Sequence, residues 1–292
     1  MWLKKYTWAF LYGILLFGFT VYILLDTFVF AKVYTVVPEE QKQETVIEAT
    51  VTDDRYEDEN ISINLTQYRE YGSEIYVADV QISSPEYLQT AFAENTYGKN
   101  ITDKTSDIAE KNNAILAING DYYGAQEKGY VVRNGVIYRG TASDAQEALV
   151  VYSDGSFSVI NEDEVSVEAL WENGAQQVLS FGPALVMDGS ISVTEKEEVG
   201  KAKTSNPRTA IGIIDELHYV LVVSDGRTNE SEGLSLYELA EFMQKLGLKT
   251  AYNLDGGGSS TMYFNGEVIN NPTTNGKSIK ERGVSDIVYI GY

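Results

Sequence analysis

The stretch Thr250-Ala-Tyr-Asn-Leu-Asp-Gly-Gly-Gly-Ser-Ser-Thr-Met-Tyr-Phe264 joins two apolar segments through a turn of three glycines, two serines and a threonine. Short apolar segments beside a glycine turn are typical of buried β-strands, so the stretch predicts strand, turn and strand. Because glycine has no Cβ atom, the N–H groups of such a turn can approach a ligand closely. Consecutive N–H groups can also surround an anion. The stretch therefore predicts either an anion-binding turn or a tight connection between two buried strands.

The polar groups of this turn are the first candidates for a functional site. Asp255 follows the first strand, and we expect its carboxylate to take part in chemistry. The serine and threonine hydroxyls add hydrogen-bond donors to the backbone N–H groups. The ligand contacts predicted in this stretch are Asn253, Gly256, Gly257, Gly258, Ser259 and Ser260.

The arrangement of an apolar strand followed by aspartate and glycine occurs twice more. Asn119 and Asp121 follow one apolar strand, and Asp225 follows another. If the three strands are neighbours in one sheet, Asp121, Asp225 and Asp255 meet at one edge of it. Aspartate and glycine also favour turns without any further function. Both interpretations remain open from the residues alone.

Two arginines and one further glycine complete the predicted site. Arg208 precedes an apolar strand, and Arg227 closes the turn Ser224-Asp-Gly-Arg227. The planar guanidinium group can bind a phosphate through two N–H donors, although a salt bridge to a turn carboxylate is the alternative role. Gly182, within Ser180-Phe-Gly-Pro-Ala-Leu185, is another point where the backbone can approach a ligand.

The composition limits the chemistry that the chain can perform. It contains no cysteine and a single histidine, His218, which lies in an apolar strand segment. A thiol nucleophile is excluded, and a Ser-His-Asp triad or a zinc site with several histidines is not expected. Aspartate and glutamate are therefore the expected acid–base groups.

The charge distribution argues against nucleic acid as a partner. The net charge is −21, from 43 acidic and 22 basic residues, and no run of Lys and Arg is present. Binding along a phosphate backbone needs such basic clusters. We expect no nucleic acid partner.

The N-terminal region predicts a membrane segment. Lys4 and Lys5 precede the uncharged apolar segment 6–25, which is about long enough to cross a bilayer as a helix. Lysines on this side favour a cytoplasmic N-terminus, which makes the chain a single-pass membrane protein with its domain outside the cytoplasm. The alternative is a signal peptide cleaved near Ala31, after which the domain is secreted.

The remaining pattern predicts an α+β fold with a mainly antiparallel, hairpin-rich sheet and a few packed helices. Asn-Gly or Asp-Gly pairs favour two-residue hairpin turns, and they occur at Asn134, Asp154, Asp188 and Asn265. Ser235-Leu-Tyr-Glu238 has the sequence of a capping box and begins a helix that Gly247 ends.

Three segments follow from these patterns. Residues 1–37 are expected to form a cytoplasmic stub and a transmembrane helix. Residues 38–59 are polar and acidic, and they are expected to form a linker. Residues 60–292 are expected to form one globular domain.

Five of the motifs occur in an order that resembles the phosphodiester glycosidase family. They are Asn119-Gly-Asp-Tyr-Tyr, Ser180-Phe-Gly-Pro-Ala-Leu, Pro207-Arg-Thr-Ala-Ile-Gly, Ser224-Asp-Gly-Arg and Asn253-Leu-Asp-Gly-Gly-Gly-Ser-Ser-Thr-Met. The resemblance covers about 61–292. It implies hydrolysis of a sugar-1-phosphodiester, borne by a phosphorylated glycan, at the anomeric C–O bond, as part of cell-surface glycan or exopolysaccharide metabolism.

The resemblance also gives the candidate residues their roles. Asp255 and Asp121 become the catalytic carboxylate pair, with Asp255 as nucleophile or base, since glycosidases commonly use two carboxylates. The predicted substrate contacts are Asn119, Gly182, Arg208, Asp225, Arg227, Asn253, Gly256, Gly257, Gly258, Ser259 and Ser260.

Two other functions are compatible with the same residues. One is a metal-dependent phosphodiesterase that uses the turn aspartates as ligands for Ca²⁺ or Mg²⁺. The other is a non-catalytic module that binds an anionic surface polysaccharide. No cofactor is expected, although the sequence leaves a divalent metal ion open.

Overall fold

A computed structural model describes residues 2–38, 48–194 and 205–292 of the chain. Within these residues the α-helices are α1 (Trp2–Phe28), α2 (Thr105–Lys111), α3 (Val167–Glu172) and α4 (Leu236–Lys245). Short 3-10 turns lie at Pro85–Tyr87, Ala93–Asn95, Tyr123–Ala125 and Gly257–Ser259.

Short strands are the main regular element of the described chain outside α1. In the first half they are β1 (Lys32–Val36), β2 (Thr50–Val51), β3 (Arg55–Glu57), β4 (Ile61–Glu70), β5 (Ser73–Ile82), β6 (Leu88–Phe92), β7 (Thr96–Lys99), β8 (Leu116–Asn119), β9 (Val131–Arg133) and β10 (Val136–Arg139). In the second half they are β11 (Glu147–Tyr152), β12 (Phe157–Asn161), β13 (Ala175–Leu179), β14 (Ala184–Met187), β15 (Ser190–Ile191), β16 (Arg208–Asp215), β17 (His218–Ser224), β18 (Thr250–Asn253), β19 (Met262–Phe264), β20 (Glu267–Val268) and β21 (Asp286–Ile290).

These strands form three larger sheets and one two-stranded ribbon. The nine-stranded sheet has the order β15-β14-β18-β16-β17-β5-β4-β3-β2, and the two five-stranded sheets have the orders β20-β19-β8-β21-β6 and β10-β9-β13-β11-β12. β1 pairs with β7 in the ribbon. The strand pairs are antiparallel, and the helices are few. The predicted α+β class with mainly antiparallel sheets is confirmed.

The nine-stranded sheet is buried on both faces, which explains the nearly continuous apolar sequence of its central strands. One face, with Ile211, Tyr219 and Leu221, packs on the two five-stranded sheets through Leu116 and Leu149. The other face packs on the apolar stripe of α4. α2 and α3 cover the outer faces of the two five-stranded sheets. The layers are therefore, in order, α4, the nine-stranded sheet, the two five-stranded sheets, and α2 with α3.

All four predicted Asn-Gly and Asp-Gly turns connect neighbouring antiparallel strands. Asn134, Asp188 and Asn265 have φ of 50°, 49° and 45°, and the glycine after each is also at positive φ. This backbone matches the predicted two-residue turn. At Gly155, with φ of 84°, only the glycine is left-handed. That hairpin therefore has a longer loop than predicted.

Helix α4 begins and ends at the predicted signals. The Ser235 side chain accepts from the Glu238 N–H group while the Glu238 side chain accepts from the Ser235 N–H group, which completes the capping box. Gly247 follows the last turn with φ of 85°. The helix covers the sheet that contains β18, and therefore supports the strand that leads into the glycine turn.

The expected linker 38–59 differs from the structure in its described part. Residues 39–47 lie outside the described residues. Thr50–Val51 pairs with Arg55–Glu57, which pairs with β4 at the edge of the nine-stranded sheet. The sheet therefore begins before residue 60. In Arg55–Glu57, Tyr56 reaches the core while the residue on each side of it is exposed. This segment therefore has the burial pattern of an edge strand although its composition is acidic.

Candidate functional site

The glycine turn lies where two sheets meet. β18 belongs to the nine-stranded sheet and ends at Asn253, while β8 belongs to a five-stranded sheet. The backbone N–H group of Asp255 donates to the carbonyl of Gly120 across 3.2 Å. The two strand ends are thus neighbours. They meet although β18 and β8 belong to different sheets, whereas the convergence considered from the sequence required neighbours within one sheet.

Asn119 fixes the position of this junction. Its side chain is fully buried, and its Nδ2 atom donates to the carbonyl of Asp255 at 2.7 Å. Its Oδ1 atom accepts from the Thr209 hydroxyl at 2.8 Å and from the Thr261 N–H group at 3.3 Å. Asn119 therefore positions the turn by its side-chain amide. The sequence predicts Asn119 as a direct substrate contact, but the residue has no exposed atom.

The three glycines allow other segments to pack closely on the turn. A Cβ atom at Gly256 would lie 2.9 Å from the carbonyl oxygen of Pro207, and one at Gly257 would lie 2.7 Å from an Arg227 nitrogen. A Cβ atom at Gly258 would lie 2.4 Å from the Thr274 hydroxyl. A side chain at Gly256 or Gly258 would displace a neighbouring backbone segment, whereas one at Gly257 would displace the Arg227 guanidinium group.

Most of the backbone N–H groups of the turn are already engaged. Gly257 donates to Pro207 at 2.8 Å, Ser260 donates to Gly257 at 3.2 Å, and Ser259 donates to Gly256 at 3.4 Å. The predicted anion site made of consecutive free N–H groups is therefore not what this turn presents. Its glycines instead bring side chains from neighbouring segments to Asp255.

Asp255 forms a cluster with Arg282 and Ser259 at the surface. The Arg282 Nη2 atom donates to the Asp255 carboxylate at 2.8 Å, and its Nε atom donates to the Ser259 hydroxyl oxygen at 2.9 Å. The side chain of Asp255 is 12% exposed and that of Arg282 is 38% exposed. Burial raises the pKa of Asp255, while the Arg282 charge and the hydrogen bonds from Ser259 and Arg282 act against that rise. The carboxylate is thus held in place but remains accessible.

A second guanidinium group lies beside this cluster. Arg227 packs on Gly257 and donates to the Asn206 side chain at 3.0 and 3.1 Å and to the Thr274 carbonyl at 2.7 Å. Its pKa is lowered, first by burial and then by the positive charge of Arg282, with Asp255 acting in the opposite direction. Two guanidinium groups therefore flank one carboxylate, an arrangement that favours an anionic ligand.

Next to Arg282 the surface forms a depression of about 460 Å³ that carries a positive charge. Its basic side chains are Lys104, Lys280 and Arg282, and its one acidic side chain is Glu281. The Glu281 carboxylate is occupied by the N–H group and the hydroxyl of Ser106 at the start of α2. The depression can therefore accept an anion close to Asp255.

Asp121, the predicted catalytic partner of Asp255, is fully buried. Its carboxylate accepts from the N–H groups of Tyr123 at 3.1 Å and Ser180 at 2.8 Å, and it pairs with Arg133 at 2.9 Å. Arg133 also pairs with Asp286 at 2.7 Å. No edge of Asp121 faces the surface, so its carboxylate joins the sheets rather than a substrate.

Asp225 is also buried and saturated. Its carboxylate accepts from the Asn270 side chain at 3.2 Å, from the Asn271 N–H group at 2.8 Å and from the Tyr76 hydroxyl at 3.3 Å. Asn270 donates in turn to the Ser260 carbonyl at 3.0 Å. Asp225 thus holds the segment after β20 against the glycine turn. Among the described residues its carboxylate contacts no arginine, and it is not exposed at the surface.

The remaining predicted contacts lie beneath the turn. Asn253 and Gly182 bond to each other, with the Asn253 Nδ2 atom donating to the Gly182 carbonyl at 2.7 Å. Arg208 is buried and donates from Nε to the Leu234 carbonyl at 2.8 Å. Within the described residues, Asn253 Oδ1 and Ser260 Oγ are buried polar atoms without a hydrogen-bond partner. Such groups are rare in purely structural positions.

Arg282 is the functional candidate that the sequence interpretation missed. Its segment, Lys280-Glu-Arg-Gly283, precedes the buried strand β21. Arg208 was selected because it stands before an apolar strand, and the same signal applies to Arg282. In the described parts of the chain, no three acidic or histidine side chains form a cluster that could hold a metal ion.

A comparison with known families identifies the family of this chain. The sequence profile of the phosphodiester glycosidase family matches residues 112–291, which include β8, the glycine turn and Arg282. The chain belongs to the phosphodiester glycosidase family. The family resemblance deduced from the five motifs is thereby confirmed.

Relatives and solved structures of this family extend the match. A prophage-derived uncharacterized protein of Bacillus subtilis is 27% identical over 272 residues, which are 87% of this chain and 41% of that protein. Human N-acetylglucosamine-1-phosphodiester alpha-N-acetylglucosaminidase is 36% identical over 114 residues, which are 35% of this chain and 22% of that enzyme. The chain thus spans less than half the length of these curated relatives.

Among solved structures, the catalytic domain of the zebrafish N-acetylglucosamine-1-phosphodiester alpha-N-acetylglucosaminidase shares the fold. The TM-score is 0.63 at 19% identity, over 90% of this chain and 89% of that domain. A hypothetical protein from Synechocystis matches with a TM-score of 0.57 at 16% identity, over 80% of this chain and 62% of that protein.

Proposed function

We propose that this protein is a hydrolase that cleaves a sugar-1-phosphodiester at the anomeric C–O bond. The observation that carries the proposal is the accessible Asp255 carboxylate flanked by the guanidinium groups of Arg282 and Arg227. Family membership and the activity for which the human relative is named support the same reaction. The substrate class is a phosphorylated glycan of the cell surface.

In the proposed reaction, the phosphodiester anion binds against Arg282 and Arg227. The bond between the anomeric carbon and the phosphate oxygen breaks, and its electrons go to that oxygen. The departing phosphate monoester has a second pKa of about 6, so it needs little protonation. Guanidinium donors that meet the developing charge can supply much of the stabilisation. The products are the free sugar and a phosphate monoester.

Asp255 provides the carboxylate function of this reaction, as the nucleophile at the anomeric carbon or as the base that takes a proton from water. Ser259 and Arg282 hold its oxygens in a fixed orientation. Asp121, which the sequence assigned as its partner, is replaced in this role by the two guanidinium groups. A weakly basic leaving group makes one accessible carboxylate sufficient.

We also propose that the domain works outside the cytoplasm and is held at the membrane by α1. Within the described residues, Tyr6–Phe28 is the one helix long and apolar enough to cross a bilayer, with a mean hydropathy of 2.1 and none of it buried. Signal sequences share this length and composition, so cleavage near Ala31 with secretion is the alternative fate.

The test uses the purified full chain with a simple α-N-acetylglucosaminyl phosphate ester and with UDP-N-acetylglucosamine, followed by NMR with and without chelator. Free sugar together with an intact phosphate monoester supports the glycosidase. Release of sugar-1-phosphate would instead identify a phosphodiesterase, and activity lost in chelator and restored by Mg²⁺ or Ca²⁺ would assign it to a metal. Saturable binding without products would identify a polysaccharide-binding module.

A further inference from the structure

The exit of α1 from the membrane is fixed to the domain. The Asn100 Nδ2 atom donates to the carbonyls of Thr27 and Phe30 at 3.2 and 3.1 Å. Lys32 pairs with Asp26 at 2.7 Å across the same junction. β1 begins three residues after α1 ends and pairs immediately with β7. The domain is therefore attached to the helix directly, without a flexible stalk between them.

The segment after α1 presents an apolar surface. Its exposed apolar side chains, each between 46% and 65% accessible, are Val29, Phe30, Val33, Tyr34 and Val36. This surface continues the apolar surface of α1, in which no residue from Tyr6 to Phe28 is buried. Continuity with a membrane-crossing helix makes the lipid of the same bilayer the natural occupant of this surface, and aromatic side chains such as Tyr34 favour the interface.

The candidate site lies close to this attachment. Asp103 pairs with Val284 by two backbone hydrogen bonds, three residues after Asn100 and two residues after Arg282. Chain geometry therefore limits the distance from the Asn100 Cα atom to the Arg282 Cα atom to at most about 24 Å. A globular domain of this length has a diameter of about 45 Å. Arg282 is thus at most about 24 Å from the attachment of α1, well within the diameter of the domain.

We propose that the substrate is a sugar-1-phosphodiester whose alcohol component is a lipid of the same membrane. This proposal depends on the proposed hydrolase function and specifies the alcohol component of its sugar-1-phosphodiester substrate. The lipid chain stays in the bilayer beneath the apolar surface of β1, while the phosphodiester enters the basic depression beside Arg282. Water adds to the anomeric carbon as the C–O bond breaks. The free sugar leaves into solution and the lipid phosphate monoester remains in the membrane.

The experiment compares two substrates with the full chain in phosphatidylcholine vesicles. One is an α-N-acetylglucosaminyl phosphate ester of a long-chain polyisoprenol in the same vesicles, and the other is the water-soluble methyl ester. In a variant, about twelve Gly and Ser residues inserted between Phe30 and Ala31 would let the domain move roughly 20 Å from the bilayer. The same insertion between Asn265 and Gly266, in an exposed hairpin turn, is the matched control.

The insertion after Phe30 is expected to lower cleavage of the polyisoprenyl ester by about tenfold, because the local concentration of substrate at the site falls. Cleavage of the methyl ester should stay unchanged in both variants, which also shows that they are folded. Equal polyisoprenyl ester cleavage by wild type and this variant would overturn the proposal, as would cleavage of the methyl ester alone. Cleavage of neither ester by the wild type would overturn the hydrolase function itself.

Discussion

The molecule contains two clusters of aspartate and arginine with the same chemistry and opposite surroundings. Asp121, Arg133 and Asp286 lie between the sheets and are almost fully buried. Asp255 and Arg282 lie at the surface and are partly exposed. Asp121 and Asp255 each follow an apolar strand, so the sequence alone does not separate them. The difference teaches that accessibility, and not the residue types, divides structural carboxylates from those available to a substrate.

The largest effect is expected for Asp255→Asn. Removing the carboxylate should lower turnover of a sugar-1-phosphodiester by up to about 10⁴-fold, since a positioned acid or base contributes of that order. The variant should unfold at nearly the wild-type temperature because the amide still fills the site. Sugar release measured by NMR, together with thermal unfolding of the same sample, checks both parts. Near-normal turnover would remove Asp255 from the mechanism.

The buried cluster should respond in stability instead. Arg133→Ala leaves two carboxylates without their buried cation, which is expected to cost about 3–5 kcal/mol of unfolding free energy. Arg69→Ala is the matched control, because Arg69 is an exposed arginine paired with Glu74, and such pairs contribute about 0–1 kcal/mol. Urea unfolding of both variants measures the difference. Equal losses would show that the buried Arg133 contributes no more to stability than an exposed arginine.

The surface arginine should affect the reaction more than the fold. Arg282→Ala is expected to lower phosphodiester turnover by about 10²–10³-fold, as for other groups that stabilise developing charge. Turnover of an aryl glycoside without phosphate should fall much less, and Arg282→Lys should recover part of the loss. If both substrates lose activity equally, Arg282 positions Asp255 and does not bind phosphate.

The smallest effect concerns pH. Burial raises the pKa of Asp286 to about 7, with the Arg133 charge opposing and the Asp121 charge adding to the rise. Between pH 4 and 7 the folded state then binds more protons than the unfolded state, so this group's contribution to stability falls as pH rises. Asp286→Asn should reduce that decline. Unfolding free energies of both proteins at several pH values test this, and identical slopes would assign the decline to other groups.

Local signals allowed much of the fold to be predicted. The capping box at Ser235 and the turn pairs at Asn134, Asp188 and Asn265 act within a few residues of the chain, so their outcome depends little on distant contacts. The acidic segment 50–57 was misjudged because an edge strand needs only alternate apolar residues, and Tyr56 supplies its one buried contact.

Local sequence signals predicted the candidate site less well than the fold. Asp255 was found because it adjoins a distinctive turn, whereas Asp121 was assigned as its partner from a similar local pattern. The Asp121 carboxylate is held inside the protein by Arg133 and by the Ser180 N–H group. These two residues are distant from each other in the sequence and lie on different strands or loops. Arg282 reaches Asp255 from a segment 27 residues away, and only the folded chain brings them together.

The short outer strands of the nine-stranded sheet limit its pairing with other chains. Among the described residues, β2 and β15 form its two edges and contain two residues each. Long exposed edges offer unpaired N–H and C=O groups to another chain, and short edges reduce that opportunity. Such short edges therefore protect the domain from sheet-to-sheet aggregation.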